Sequence, residues 1–198
     1  MAGQDNIDTT ASSKSRAQAM WKLLTLVTDD FDDGQSDQAQ GNIRAFLLSV
    51  AYHEGAQLRE RVQRQDGPAR SFFQFEAHRA KDAGMYANSK DWIGLLVDGL
   101  DASEDALISA FQDLPSFGQA NSARFPAGNL VERLLRQSDL FGARLARIAF
   151  KKVPEAIPSR NNANAIANYW FKYWKVTGDE NLKAIVAKES AEVLSFID

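Results

Sequence analysis

The chain has 198 residues, 44% hydrophobic and 25% charged, a composition that suits one folded domain and excludes wholesale disorder. The net charge of −3 leaves no basic footprint, so nucleic acid is not an expected partner. The absence of cysteine excludes disulfides and thiolate metal sites. No run approaches the roughly 18 apolar residues of a membrane span. The N-terminus lacks the basic and apolar regions of a secretory leader, so we expect a protein made in the cytoplasm.

The N-terminal quarter of the chain has strong helical periodicity. Residues 1–14 are small and polar and are predicted to form a flexible arm, whereas residues 15–198 are predicted to form a single helical domain. A first helix is predicted to end near Phe31. A second helix is predicted to end near Glu54 and Gly55. The apolar residues that carry these predictions are Ala17, Met20, Trp21, Leu24 and Val27, then Ile43, Phe46, Leu47 and Val50.

Helical periodicity fades between Gln57 and Asn88, which predicts a short irregular or β-hairpin segment there. The pattern restarts at Trp92, and Ser103 is predicted to cap a further helix. The remaining predictions are a loop at 115–128, one or two helices within 130–150, and two last helices at 161–176 and 180–197, separated by Thr177-Gly178-Asp179. The sequence therefore predicts a mostly α fold with one irregular segment, which follows Glu54.

Glu54 is an unusual residue for its position. It follows Val50 by one helical repeat and so continues the apolar stripe of its helix. It also lies in the last turn, where the helix dipole disfavours a carboxylate, and both placements penalise the ionised form. A glycosidase needs a carboxylic acid that is still protonated near neutral pH. Glu54 is therefore a candidate catalytic acid, unless the helix ends earlier and its side chain simply points to water.

Residues 65–76 contain a second candidate group. A Gly67-Pro68 turn precedes an alternating run in which Phe73 and Phe75 share one face while Gln74 and Glu76 share the other. Such a segment can place an amide and a carboxylate in a cleft wall while its phenylalanines anchor the core. An ordinary amphipathic strand or turn would give the same pattern.

These two segments together resemble lytic transglycosylases and goose-type lysozymes of the lysozyme-like superfamily. Those proteins carry a catalytic Glu, usually followed by Ser, at the end of a buried helix, and a later Gly-Leu-Met-Gln segment whose Gln lines the substrate cleft. Here Gln74 lies 20 positions after Glu54 (74 − 54), and Phe72-Phe73-Gln74 resembles Leu-Met-Gln. A wider set of residues resembles lysozyme-like virion proteins of tailed bacteriophages: His53-Glu54-Gly55, Gly67-Pro68-Ala69-Arg70, Gln74-Phe75-Glu76, Pro154 and Pro158, and Tyr169-Trp170 with Tyr173-Trp174.

The resemblance implies cleavage of the bond between N-acetylmuramic acid and N-acetylglucosamine in peptidoglycan glycan strands, with no cofactor and no metal. Glu54 would be the general acid, and Glu76, in preference to Asp66, a second carboxylate. The implied substrate contacts are Gln74, Gly55, Phe73, Tyr169 and Tyr173. A phage-encoded member would be virion-associated, would act at the host cell wall during genome entry, and would have other virion proteins as further partners.

Three departures from the family pattern support a different function. Gly55 replaces the Ser that normally follows the catalytic Glu, and Ser71 replaces the Gly of the Gly-Leu-Met-Gln turn. The later Tyr-Asn-Ala-Gly motif, whose Tyr lies beside the acid in the family, is absent, so Tyr169 or Tyr173 would have to replace it. The alternative is a non-catalytic structural virion protein that keeps a lysozyme-like fold in the capsid interior or tail. A third hypothesis is a helical adaptor in which these matches are chance.

The remaining chemistry-bearing residues suit structural roles. His53 and His78 are the only histidines and are too far apart to indicate a metal site. The stripe Ile166, Tyr169, Trp170, Tyr173 and Trp174 has helical spacing and is expected to be mostly core, with room for one exposed member that stacks on a sugar.

Overall fold

The computed structural model describes residues 6–63, 67–175 and 180–197 and is mostly helical in them. A π-helical turn, Phe171–Lys175, continues the eighth helix. Strand pairing in these residues is limited to isolated antiparallel bridges from Arg70 to Val62 and to Phe75. The predicted mostly α fold with one short irregular segment is therefore confirmed. The helices are α1 (Ser13–Phe31), α2 (Asp37–Glu54), α3 (Ala77–Asn88), α4 (Ile93–Val97), α5 (Glu104–Gln112), α6 (Leu130–Gln137), α7 (Asp139–Lys151), α8 (Ala163–Trp170) and α9 (Asn181–Leu194).

Short polar side chains fix where most of these helices begin. The hydroxyl of Ser12 accepts a hydrogen bond from the Ser15 amide at the start of α1, and Ser36 does the same for Ala39 in α2. Ser103 accepts from the Ala106 amide, which confirms the predicted cap of α5. Each cap satisfies an amide that the first helical turn leaves without a partner.

The chain divides into two compact units, and each has its own buried core. The central unit comprises the described residues of Met1–Asn6 and Glu60–Lys152, and the terminal unit those of Ile7–Arg59 and Val153–Asp198. In the terminal unit, α2 packs against α1, α8 and α9, and α8 packs against α9. In the central unit, α7 packs against α3, α4 and α6, and α5 against α3, α4 and α6. The unit that holds Glu54 is therefore a group of packed helices drawn from both ends of the sequence.

The irregular segment is shorter than the sequence predicted, because α3 occupies its last third. The buried face of α3 consists of small residues, Ala77, Ala80, Ala83, Gly84 and Ala87, rather than the large apolar residues by which helical periodicity is recognised. Gly84 is required by a close approach, since a Cβ there would lie 2.3 Å from the ring of Phe111. The prediction that the irregular segment extends to Asn88 was wrong for this reason, since residues 77–88 are helical.

Two predictions concern the ends of the chain, a flexible arm at 1–14 and a helix at 161–176. α1 begins at Ser13, and Ile7 is buried. Residues 1–5 lie outside the described residues, so the flexible arm stays a prediction. The predicted helix at 161–176 is divided into α8 and the π-helical turn, and the break at 177–179 also lies outside the described residues. Within the described ranges, no helix is long and apolar enough to cross a membrane.

Candidate functional site

Glu54 is the last residue of α2, as the sequence predicted, and its side chain is half-buried. Its Oε1 accepts a hydrogen bond of 3.0 Å from Nε1 of Trp170, the last residue of α8. The hypothesis that Glu54 simply points to water past the helix end is therefore wrong. The fold therefore places the indole N–H of Trp170 within hydrogen-bonding distance of Glu54, the carboxylate that the sequence analysis identified as a candidate acid.

Trp170 is held rigidly where it meets Glu54. Its side chain is only 1% exposed, and its ring lies edge-to-face against His53 at 4.8 Å between centroids. The π-helical turn begins at the next residue, Phe171. Such turns disrupt the regular helical ladder and occur often at functional sites. The indole is thus fixed by burial and by the His53 ring, and an irregular helical turn follows it in the chain.

His53 connects this group to α9. Its Nδ1 lies 2.5 Å from Oε2 of Glu189, and both side chains are largely buried. A carboxylate can only accept, so the Nδ1 of His53 carries the proton in this contact. Glu54, Trp170, His53 and Glu189 form a continuous polar and aromatic cluster, which we call the Glu54 cluster.

A neighbouring tyrosine makes a second contact between α2 and α9. Tyr52 is fully buried, and its hydroxyl donates a hydrogen bond of 3.1 Å to Oε1 of Glu192. Burial, followed by the hydrogen bond to Glu192, raises the pKa of Tyr52 from 10.0 to about 12. Tyr52 is therefore a neutral hydrogen-bond donor at physiological pH.

The backbone immediately after Glu54 is strained. Ala56, Gln57 and Leu58 all have left-handed φ values, of 49°, 62° and 61°. A left-handed conformation costs a non-glycine residue about 1–2 kcal/mol. Arg16 helps to hold this turn, because its Nε donates to the Gln57 carbonyl at 2.9 Å. Strain of this kind persists only where the surroundings enforce it, and it clusters at functional sites.

Gln74 and Glu76 belong to the central unit, whereas Glu54 belongs to the terminal unit. Gln74 also has a left-handed φ, of 51°, and its amide donates to the carbonyls of Ser71 at 2.9 Å and Glu60 at 3.3 Å. Glu76 occupies the N-cap position of α3 without capping it, and its carboxylate lies 3.6 Å from Nδ1 of His78. Asp66, the other candidate carboxylate, lies outside the described residues.

Buried and half-buried side chains alternate along residues 73–76, as the sequence predicted. The burial of Phe73, however, argues against its predicted contact with substrate. Phe73 and Phe75 are 1% and 0% exposed, while Gln74 and Glu76 are half-buried. Phe73 therefore anchors the core, and its ring has no exposed face on which a sugar could stack.

The other proposed substrate contacts lie in the terminal unit. Gly55 is buried and ends α2, where its amide donates to the Ala51 carbonyl at 3.0 Å. Tyr169 is 6% exposed, and its hydroxyl donates to the Glu155 carbonyl at 3.0 Å. Tyr173 is half-buried, 4.7 Å from the Tyr169 ring. The stripe expected in the core is thus largely buried, and Tyr173 is its most accessible aromatic member.

Sequence reasoning missed the partners of Glu54. Trp170 was part of the predicted aromatic stripe, but nothing in its spacing indicated that its indole N–H would meet a carboxylate 116 positions away. Glu189 had no sequence signal at all. Chemically, the cluster presents a carboxyl group that the indole N–H of Trp170 helps to orient, and an oriented carboxyl group suits proton transfer to a bound substrate. Comparisons with protein families, with curated proteins and with solved structures find no significant match to this chain.

Proposed function

We propose that this protein cleaves peptidoglycan glycan strands, with Glu54 as the general acid. The observation that carries the proposal is the hydrogen bond from Trp170 Nε1 to Glu54 Oε1. In the lysozyme-like proteins that the sequence resembles, the tyrosine of the Tyr-Asn-Ala-Gly motif lies beside the catalytic acid. Trp170 is a candidate for that role in place of the absent tyrosine motif, and the strained turn after Glu54 adds support.

The proposed reaction begins with protonated Glu54. Its proton passes to the oxygen that joins N-acetylmuramic acid to N-acetylglucosamine, and the bond from the muramic C1 to that oxygen breaks. In a lytic transglycosylase the Glu54 carboxylate then takes the proton of the muramic 6-hydroxyl, whose oxygen closes a 1,6-anhydro ring at C1. In a muramidase, water replaces that hydroxyl, and a second carboxylate positions the water or stabilises the oxocarbenium-like state.

The proposed setting is a tailed-phage virion, in which the protein would open the host wall locally during genome entry. A structural virion protein is the second candidate, and one observation favours it. The bond between Trp170 and Glu54 also joins α2 to α8, so it would stabilise the terminal unit even without catalysis. Glycine at position 55 is consistent with that second function.

Release of dye from labelled, purified sacculi tests the proposal. Wild type and Glu54→Gln are compared, because glutamine keeps an oxygen that accepts from Trp170 and removes only the transferable proton. Glu192→Gln is the matched control, since it alters another carboxylate that accepts a hydrogen bond from α2, in this case from Tyr52. We expect release by wild type and the control and none by Glu54→Gln. Equal release by all three proteins would exclude Glu54 as the acid, and no release by folded wild type would favour the structural function.

A further inference from the structure

A polar pocket lies in the central unit, between the end of α5 and the loop at 115–128. Its volume is about 620 Å³, within the roughly 300–1,000 Å³ of ordinary ligand sites. Lys81 of α3 forms part of its wall and donates to the carbonyls of Gln112 at 3.0 Å and Leu114 at 2.6 Å. These bonds hold the end of α5 against α3, so one side of the pocket is rigid.

The loop that forms the opposite wall is also preformed. The carbonyls of Ser122 and Ala123 each accept a hydrogen bond of 3.0 Å from an amide in the first turn of α3, those of His78 and Ala77. Asn121 has a left-handed φ of 59°, and the Arg124 amide donates to its carbonyl at 2.8 Å. A loop fixed in this way does not have to be ordered when a ligand binds, which removes one cost of binding.

Several hydrogen-bonding side chains on the pocket wall have no partner within the described part of the chain. They are the guanidinium of Arg124 and the amides of Gln112 and Asn121. Lys81 and Arg124 carry positive charge and Asp113 carries negative charge, so the lining has a formal charge of only +1. A wall of amides and one guanidinium with little net charge suits a ligand that offers many hydroxyl and amide groups.

Apolar surfaces accompany these polar groups. Pro115, Phe125 and Pro126 line the pocket, and Phe117 of the same loop is 85% exposed. The Phe117 ring lies 5.3 Å from the ring of His78, which holds it against α3. An exposed aromatic face presents a flat apolar surface beside the polar wall. Sugar rings combine an apolar face with a rim of hydroxyl groups.

We propose that this pocket is an oligosaccharide-binding site, in which Arg124, Gln112 and Asn121 bind sugar hydroxyl and acetamido groups while Phe117 packs against a ring face. The site involves no residue of the Glu54 cluster and requires no cleavage. It would hold a glycan whether or not Glu54 is a catalytic acid, so the two proposals can fail separately.

Binding of the N-acetylglucosamine tetramer to the Glu54→Gln protein tests this inference, with affinity measured by calorimetry and the site mapped by amide chemical shifts. Arg124→Ala is the central variant, because the Arg124 side chain is exposed and without a partner in the described ranges, so its removal leaves the fold intact. Loss of a hydrogen bond from a charged group weakens binding roughly tenfold or more. Arg133→Ala, at an exposed arginine of α6, is the matched control.

We expect saturable binding, shifts centred on residues 112–126, a roughly tenfold loss in Arg124→Ala and no loss in Arg133→Ala. Phe117→Ala should also weaken binding, since it removes the ring face. The proposal is overturned if the tetramer does not bind, if both arginine variants bind like the parent, or if the shifts lie elsewhere. It is also overturned if inorganic phosphate, and not the tetramer, binds in a manner that depends on Arg124, because the pocket would then be an anion site.

Discussion

The indole Nε1 of Trp170 donates a 3.0 Å hydrogen bond to Oε1 of Glu54, and this contact joins the last residue of α8 to the last residue of α2. Trp170 is 1% exposed, so water cannot readily replace its partner. The contact has a structural consequence and a chemical one, and the two can be measured separately.

Trp170→Phe tests the structural consequence, because phenylalanine keeps an aromatic ring and loses the N–H donor. We expect the free energy of unfolding to fall by about 1–3 kcal/mol, measured by urea denaturation. Part of that loss comes from the smaller ring, so the substitution is repeated in a Glu54→Ala background. The cost should be smaller there, with a coupling energy of about 1 kcal/mol. An equal cost in both backgrounds would mean that the hydrogen bond contributes nothing.

Tyr52 predicts how stability changes at alkaline pH. Its pKa is about 12 in the folded protein and 10.0 without the fold, so the unfolded chain releases this proton first as pH rises. The contribution of Tyr52 is fully present below pH 10 and is lost towards pH 12, with a slope of up to about 1.4 kcal/mol per pH unit. Chemical denaturation at several pH values should show this decline in wild type and in the control Tyr86→Phe. A Tyr52→Phe variant with the same decline would contradict the assignment.

The left-handed conformation of Ala56 predicts that a glycine substitution there stabilises the protein. Its φ of 49° is strained for alanine and costs glycine nothing, so Ala56→Gly should raise the free energy of unfolding by about 0.5–1 kcal/mol. The same change at Ala184, an exposed residue inside α9, should lower it by about 1 kcal/mol. Thermal unfolding of both variants measures the two effects. Destabilisation by Ala56→Gly would show that the turn after Glu54 is not strained.

An ion pair with a buried carboxylate predicts a strongly destabilising polar substitution in the central unit. Arg61 donates two hydrogen bonds of 2.7 Å to the Asp139 carboxylate, which is 1% exposed. Asp139→Asn removes the buried carboxylate charge to which Arg61 donates and should cost about 3–5 kcal/mol. Asp82→Asn, which breaks an exposed pair with Lys152, should cost less than about 1 kcal/mol. Similar costs for the two variants, measured by urea denaturation, would show that burial does not strengthen the first pair.

The sequence predicted α1 and α2 well because large apolar residues recur at helical spacing in both helices. It missed α3, since alanine and glycine form the buried face of that helix. Glu54 could be identified as a candidate acid from the sequence. A carboxylate on the apolar stripe and in the last turn of a helix destabilises that helix, so its presence there is unusual. The partners of Glu54 could not be identified, because the contacts of Trp170 and Glu189 depend on how α8 and α9 pack against α2, which local patterns do not specify.

The most direct test of Glu54 as a catalytic acid is mass spectrometry of the soluble products that wild type and Glu54→Gln release from purified peptidoglycan between about pH 4 and 8, where a carboxylic acid catalyst is active. The account predicts muropeptides from wild type alone, and 1,6-anhydro-muramic ends would make the enzyme a lytic transglycosylase, whereas reducing ends would make it a muramidase. Identical products from both proteins, or none from folded wild type at any pH in that range, would contradict it.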